Sequence, residues 1–439
     1  MEHATVGLVG LVLLLVFLVL GMPISIIFLF LYICGLAIIL DFEKVFGLLG
    51  QGLYFNTSGP NWAALPLFIL LGFLATQGGY AQRAFKGLNV VTKGLPGALA
   101  IATCFSCAFF GAMSGSSAAT AAIFAKLTLP EMWRYGYNKK FAAGVVACAG
   151  TFAAMIPPSG LMVVYALLTK QSIGKMFAGG IVPGIITAVV YAALILIKVK
   201  YNPSLIGTPD DSRFSFRDRL AGILDVWPAL LVATVILGGI YSGLFTPTEA
   251  AATGCLSVLI MGYFHGGLRS LKAIRSSMRD SATTASMIFF IIICAIFFSR
   301  FLAFTQIPIE LANWIAEIKL QRFWLLIGIL AVWFLLGMVM IPDGIYVLTT
   351  PIFFPLIAQA GYDPIWFGII TIKLSEIANV TPPVGLNIFA LQGAMEKQIT
   401  AEEIYAGIWP FVACEIGVLS LMILFPEIVI WLPTKLLGP

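Results

Sequence analysis

The sequence predicts an all-α polytopic membrane protein built as an inverted repeat, with two re-entrant hairpins and two broken helices. Three observations carry that prediction. Of its 439 residues 60% are hydrophobic and 10% charged, at a mean hydropathy of +1.01, whereas soluble domains hold roughly 25% charged residues. Small polar knots interrupt the apolar runs, first at Gly111-Ala-Met-Ser-Gly-Ser-Ser-Ala-Ala-Thr120 and then at Ile156-Pro-Pro-Ser-Gly160. The same pair of knots recurs at Gly337-Met-Val-Met-Ile-Pro-Asp-Gly344 and Thr381-Pro-Pro-Val-Gly385. The offset is 226 residues for Gly111 onto Gly337, and 225 both for Pro157-Pro158 onto Pro382-Pro383 and for Gly136-Tyr137 onto Gly361-Tyr362. Non-helical backbone at membrane depth is tolerated only where it lines a cavity or is covered by protein, so the knots mark a site.

Two apolar spans, 5–21 and 23–40, meet at Gly21-Met-Pro23, too tight for more than a turn. The first has no basic n-region and runs straight into the second, so it is a span and not a signal peptide. Residues 42–58 mix apolar and polar positions and read as an interfacial amphipathic segment. A crossing over 62–78 leads to a basic loop, 82–93, with Arg83, Lys86 and Lys93. Ala98–Phe110 and Ala118–Leu129 flank the first knot with about a dozen apolar residues each, half of what spanning requires. That length predicts a re-entrant hairpin, about 95–133, ending in the basic loop 133–140 with Arg134, Lys139 and Lys140. Lys126, late in it, snorkels to the edge.

A broken helix over 141–167 and a span over 174–198 follow, then the most charged loop, 198–220. The pair 222–243 and 246–264 leads to a second amphipathic link, 265–280, with Arg269, Lys272, Arg275 and Arg279. Thr246-Pro-Thr-Glu249 reads as a capped helix start. After a span over 281–304 and an interfacial stretch over 309–322 come a second hairpin, about 323–360, a broken helix over 364–395 and a last span over 404–432. The basic loops 82–93, 133–140, 198–220 and 265–280 predict a cytoplasmic face with both termini outside. Five crossings separate the hairpins, so the second enters from the opposite face, as inverted repeats require.

Four units follow: 1–58 and 201–280 as scaffold helices with their amphipathic arms, 59–200 and 281–439 as the halves that carry the knots. Spans 5–40 and 222–264 lack knots and are expected to stay fixed, while 62–198 and 281–432 move as one body hinged at Gly47, Gly50 and Gly52.

Proline has no N–H, so each Pro-Pro frees carbonyls four residues earlier: Ala153 and Ala154 ahead of Pro157 and Pro158, Ala378 and Asn379 ahead of Pro382 and Pro383. Carbonyl and hydroxyl oxygens suit a small hard cation. Two sodium sites are predicted, one over Gly115, Ser116, Ala153, Ala154 and Pro157, the other over Pro342, Asp343, Gly344, Ala378, Asn379, Thr381 and Pro382. The second arm of each hairpin starts with its N–H groups pointing inward, and such a terminus attracts anions. An anionic substrate is expected between the tips, against Ser116, Ser117, Thr120, Ser159, Gly385 and Asn387, with Ser116 and Ser117 also able to cap the helix. Lys373 and Glu376, three apart inside a span, can pair with each other, structurally or for coupling.

The seven cysteines sit in apolar segments without metal-type spacing, and the two histidines, His3 and His265, lie at a terminus and in a loop. The chain therefore has no catalytic histidine or metal cluster to offer, and an enzyme is not expected. No chain of acids and histidines runs through the membrane, which favours sodium over proton coupling, with no organic cofactor. Half-length hairpins argue for gating over an open channel.

Together Gly115-Ser-Ser-Ala118, Pro130-Glu-Met132, Gly136-Tyr137, Ile156-Pro-Pro-Ser159, Thr246-Pro-Thr-Glu-Ala250, Gly361-Tyr-Asp-Pro364 and Thr381-Pro-Pro-Val-Gly-Leu-Asn387 resemble the motifs of the large membrane subunit of TRAP (tripartite ATP-independent periplasmic) transporters. The resemblance covers nearly the whole chain. It implies an ion-transporter-superfamily-like elevator in the cytoplasmic membrane, importing organic anions with two or more sodium ions. A periplasmic binding protein would deliver the anion: a dicarboxylate, sialic or other sugar acid, or sulfonate. It also implies a small four-helix membrane subunit, expected here as a separate chain because the sequence opens on the large subunit's first span. The alternative is a stand-alone sodium–dicarboxylate symporter of the same hairpin architecture.

Overall fold

The computed structural model describes residues 3–207, 216–265, 267–317, 321–396 and 398–438; the middle of the charged loop 198–220, including Asp210, Asp211 and Arg213, lies outside them. The described residues form α-helices and two short 3-10 turns joined by loops, with no strand among them. α1 (His3–Val19) and α2 (Ile24–Ile39) turn at Gly21, whose φ of +78° only glycine adopts freely. The amphipathic α3 (Phe42–Thr57) ends before Gly59-Pro60, and after a short 3-10 turn α4 (Ala64–Gln77) begins. The stretch expected as a basic loop is instead a helix, α5 (Tyr80–Thr92): its apolar residues Tyr80, Ala81, Ala84, Phe85 and Leu88 fall on one buried face, along which it packs.

The first hairpin is α6 (Ala98–Ser114) and α7 (Ser117–Arg134). Its arms are 17 and 18 residues long, not a dozen, because Gly111-Ala-Met-Ser114 continues the helix and only Gly115 and Ser116 interrupt it. The first broken helix comprises α8 (Lys139–Ala149), a single turn α9 (Phe152–Met155) and α10 (Gly160–Thr169), bent by 41° at its break. The long α11 (Ile173–Tyr201) follows, then the pair α12 (Phe216–Tyr241) and α13 (Pro247–His265). Thr246 and Glu249 close the capping box expected of them: Thr246 N donates to the Glu249 carboxylate at 2.8 Å and Glu249 N to Thr246 Oγ1 at 3.3 Å.

The second amphipathic link does not exist as a separate element. Lys272, Arg275 and Arg279 belong to the opening turns of α14 (Leu271–Phe304), one 34-residue helix, because no glycine or proline occurs within it. α15 (Ile307–Glu317), the second hairpin α16 (Arg322–Gly337) and α17 (Pro342–Gln359), and the second broken helix α18 (Pro364–Ala378) and α19 (Leu386–Ala394) follow. The last span is interrupted too: α20 (Ala401–Leu424) stops before Pro426 and α21 (Glu427–Leu437) starts beyond it. Five helices among the described residues are each long and apolar enough to cross a membrane, and the bent pair Lys139–Met155 with Gly160–Thr169 makes a sixth; α1, α2, α6 and α16 are shorter apolar helices.

The duplication recurs as geometry. Gly136 and Gly361 have φ +78° and +75°, and the next helix is capped in each case two residues later, by Asn138 on Phe141 N at 3.2 Å and by Asp363 on Trp366 N at 2.8 Å. Pro157-Pro158 and Pro382-Pro383 are both cis. A Cβ on Gly111 would lie 2.7 Å from Ala153 Cα, and one on Gly337 2.6 Å from Ala378 Cβ, so each hairpin rests on the break of its own repeat through a glycine. The second arms cross over between repeats: α7 packs on α19 and α10 on α17. Helices α4, α5 and α14, grouped by sequence with the knot-bearing halves, pack also on helices without knots, α5 on α12, α4 on α13, and α14 on α2.

Candidate functional site

The tip of the first hairpin is shaped by Gly115, at φ +61°, where a Cβ would come within 3.2 Å of Gly160 N. This close approach seats the tip on the first break. Ser116 occupies the N-cap position of α7 in an extended conformation but makes no side-chain cap bond; its side chain is exposed. Ser117 follows, buried, its Oγ without a partner. Thr120 does not face the site: its hydroxyl bonds Ser114 Oγ at 2.8 Å and ties the two arms together. At the second tip Pro342 and Asp343 open α17, and Val384 N donates to Met338 O at 3.3 Å, joining tip to break.

The two breaks are chemically unlike. In the first, Pro157 and Pro158 leave Ala153 and Ala154 without helical N–H donors, and Ser159, fully buried, has an unpartnered Oγ. In the second, the carbonyls expected to be free are engaged. Ala378 O accepts from Thr381 N and Thr381 Oγ1, both at 3.1 Å, and Asn379 O accepts from Asn387 N at 3.1 Å. The break is seven residues long, enough to fold back on itself and satisfy these oxygens, with Gly385 at φ +60° closing it beside the Tyr405 hydroxyl. Its open acceptors are side-chain atoms: Asn379 Oδ1 and Asn387 Oδ1, both buried and unpartnered.

A cavity of about 310 Å³ gathers Gly115, Ser116, Ser117 and Ala118 from the first tip, Pro158 and Gly160 from the first break, Pro342 and Asp343 from the second tip, and Glu376, Asn379 and Asn387 from the second broken helix. Its remaining wall is mostly apolar, with Leu65, Phe68 and Leu71 of α4 and Ile288 of α14, and includes the hydroxyl residues Thr76, Ser114 and Thr284. Ala153, Ala154, Pro157, Ser159, Gly344, Ala378, Thr381, Pro382 and Gly385 stand behind this lining.

Lys373 and Glu376 do not pair with each other. Lys373 instead forms a buried ion pair with Glu415 of α20 and donates to Thr187 Oγ1 at 2.8 Å. Glu415 Oε1 also accepts from Tyr191 at 2.7 Å and lies 3.5 Å from Thr151 Oγ1. The network wins because a buried ion pair is tolerated when further hydrogen bonds satisfy both charges, and α11 and α20 supply them. Glu376 is left facing the cavity, its Oε1 meeting Asn379 Nδ2 at 3.4 Å and its Oε2 unpartnered. Sequence reasoning missed Glu415, although an acid inside an apolar span carries the same signal as Lys373.

Ser117 Oγ, Glu376 Oε2, Asn379 Oδ1 and Asn387 Oδ1 thus converge, as unpartnered buried oxygens, on one cavity. Buried polar atoms are almost always hydrogen-bonded, so these oxygens around one space leave acceptors that a ligand could use. An all-oxygen set with a carboxylate fits a hard cation, and among the described residues no group of histidine, cysteine and acids could hold a transition metal.

Residues 11–428 match the family model described as tripartite ATP-independent periplasmic transporter, DctM component. The chain is 39% identical to the C4-dicarboxylate TRAP transporter large permease protein DctM of Pseudomonas aeruginosa over 74% of its own length and 75% of that protein's. It is 33% identical to the isethionate TRAP transporter permease protein DctMQ of Oleidesulfovibrio alaskensis over 83% of its own length and 57% of that protein's. It is 30% identical to the ectoine TRAP transporter large permease protein TeaC of Halomonas elongata, over 90% and 93%. Its fold is similar to that of the Alcanivorax borkumensis YdaH transporter, with a TM-score of 0.62 over 90% of each chain at 14% identity.

Proposed function

Because the chain belongs to the DctM family of TRAP transporter permeases, a multi-pass inner-membrane transport subunit and not an enzyme, we propose that it imports a small organic anion by sodium symport through an elevator movement. The family supports import of carboxylates and other organic acids that depends on a periplasmic binding protein. Relatives named for C4-dicarboxylates and for isethionate support an anionic substrate. A small membrane subunit as a separate chain completes the proposed assembly. The proposed topology keeps the basic loops cytoplasmic and both termini outside.

One observation carries the sodium reading: the unpartnered oxygens of Ser117, Glu376, Asn379 and Asn387 around a cavity that both tips and both breaks frame. Sodium would take these side-chain oxygens on the second broken helix and the Ala153 and Ala154 carbonyls behind the first tip. The substrate would lie between the tips, against Ser116, Ser117 and the N–H groups that open α7. Cations that share an anion's site lower its cost of leaving water, which couples the two without any change in covalent chemistry.

The elevator reading draws on the interlocked repeats. Because α7 packs on α19 and α10 on α17, the hairpins and broken helices form one body, which α4, α5 and α14 flank from the scaffold side. Uptake into proteoliposomes holding the complete transporter should require an inward sodium gradient; uptake undiminished when choline replaces sodium would exclude coupling. Depth measurements by spin labels near Ser116 and Asp343 should differ by many ångströms between inward and outward states, and constant depth would exclude the elevator.

A further inference from the structure

A second and larger space, about 760 Å³, opens between α14 and the turn ahead of α4 on one side and α10 and α17 on the other. It is in line with the site. Three helices line both spaces at successive levels: α10 gives Val164 to the site and Ala166 to the second space, α14 gives Ile288 and then Ala295, and α17 gives Asp343 and then Thr350; Leu65 of α4 lines the site, and Trp62, in the turn ahead of α4, the second space. Seven residues of α14 or α17 rise about 10 Å. Tyr165 and Tyr346, which fall between these levels in sequence, are buried and in edge contact at 6.0 Å, and their hydroxyls donate to Pro364 O and to Thr371 Oγ1 at the α18 side.

The wall of this outer space is cationic. Arg300 of α14, half-buried, and Lys170, just beyond α10, line it together with Asn61, Gln171 and Ser299, and no aspartate or glutamate occurs among its described lining residues. Thr350, 5% exposed, has a hydroxyl without a partner there. Arg300 stands in the partition to a smaller neighbouring space beside Gln51 and Tyr32, so its charge acts from within the protein wall. A cleft lined by one sign of charge between low-dielectric walls focuses its field and concentrates counter-ions.

The geometry points to an anion-holding vestibule, a second binding place for a small organic carboxylate or sulfonate in line with the inner site, with Arg300 and Lys170 supplying the charge and Thr350 a hydrogen bond. That it faces outward rests on the transport reading above. In function it would hold the anion at the mouth of the path before the inner site receives it. It would also have to empty before the knot-bearing body could rise into the space, so an occupied vestibule favours the inward state.

The test uses thiol reagents of opposite charge and needs no transport assay. In the full-length chain in spheroplasts, with exposed Cys34 replaced by alanine and that variant alone as background, Ser299→Cys is labelled from outside by 2-sulfonatoethyl methanethiosulfonate and by its trimethylammonioethyl counterpart. The anionic reagent should react faster relative to the cationic one than at an exposed control cysteine. Arg300→Gln or Lys170→Gln should lower that ratio by roughly three- to tenfold at low ionic strength, and Arg300→Lys should restore most of it. No labelling from outside, a ratio equal to the control, or a ratio indifferent to Arg300 and Lys170 would overturn the vestibule. Loss of sodium-driven uptake with the charge preference intact would instead count against the coupling reading alone.

Discussion

The two breaks descend from one duplicated motif and offer oxygen in opposite ways. The first is four residues long, Ile156 to Ser159, and its prolines leave backbone carbonyls without donors. The second is seven residues long, Asn379 to Gly385, and uses its extra length to bond its own carbonyls through Thr381 and Asn387. It then presents side-chain oxygens from Asn379, Asn387 and Glu376. The lesson is that Pro-Pro removes donors in both repeats, while loop length decides whether the freed acceptors stay open. Side-chain acceptors can be deleted one at a time and backbone acceptors cannot, so the two breaks should answer differently to mutation.

The largest effect is expected where both breaks are held at once. Glu415 meets Thr151, which leads into the first break, and Lys373, one turn ahead of Glu376. Lys373→Met leaves a buried carboxylate unpaired and should cost about 3–5 kcal/mol of stability, whereas Lys373→Met with Glu415→Leu should recover most of it. Thermal unfolding in detergent reads both; equal loss in the single and double variants would show that the network is not what holds the breaks.

Next come the open side-chain acceptors. Asn379→Ala and Asn387→Ala should each raise the sodium concentration needed for half-maximal uptake by about tenfold, if each removes a contact of about 1.4 kcal/mol. Asp343→Ala should weaken sodium dependence in the same direction. Thr381→Val, whose hydroxyl is spent on Ala378 O, should leave sodium affinity nearly unchanged, and a shift as large as that of Asn379→Ala would contradict the division between engaged and open oxygens.

A smaller contrast concerns the glycines on which the hairpins rest. A Cβ at Gly111 meets backbone of Ala153, while one at Gly337 meets only side chains, the Ala378 methyl at 2.6 Å and Ile345 Cδ1 at 3.5 Å. Overpacking of this kind costs about 1–3 kcal/mol, and Gly111→Ala should fall at the upper end and Gly337→Ala at the lower. Thermal melts of the two variants give the order, and the reverse order would mean that the first break yields more easily than the second. Smallest of all, Thr246→Ala removes a cap far from the site and should cost about 1 kcal/mol with sodium dependence unaltered.

Much of this was legible along the chain. The longer spans, the duplication at an offset of 225 residues, the capping box at Thr246 and the two interruptions follow from local rules: an apolar run must be helical in lipid, proline lacks an N–H, glycine alone takes positive φ freely. Even the long α14 was foreshadowed by the absence of glycine and proline between Leu271 and Phe304, although its basic residues suggested a separate link. Other features depend on which faces meet. Lys373 and Glu376 lie three apart, close enough to pair, and it took α11 and α20 to offer Lys373 a carboxylate, a threonine and, through Tyr191, a better-satisfied network. Whether the Ala378 and Asn379 carbonyls stayed open depended on how a seven-residue loop closed. The gathering of four unpartnered oxygens at one cavity required helices from both repeats to cross. Hydrogen-bond supply within a turn is a property of the sequence, whereas the partner of a buried charge or an orphaned oxygen is set by elements hundreds of residues apart, and only the tertiary packing brings those together.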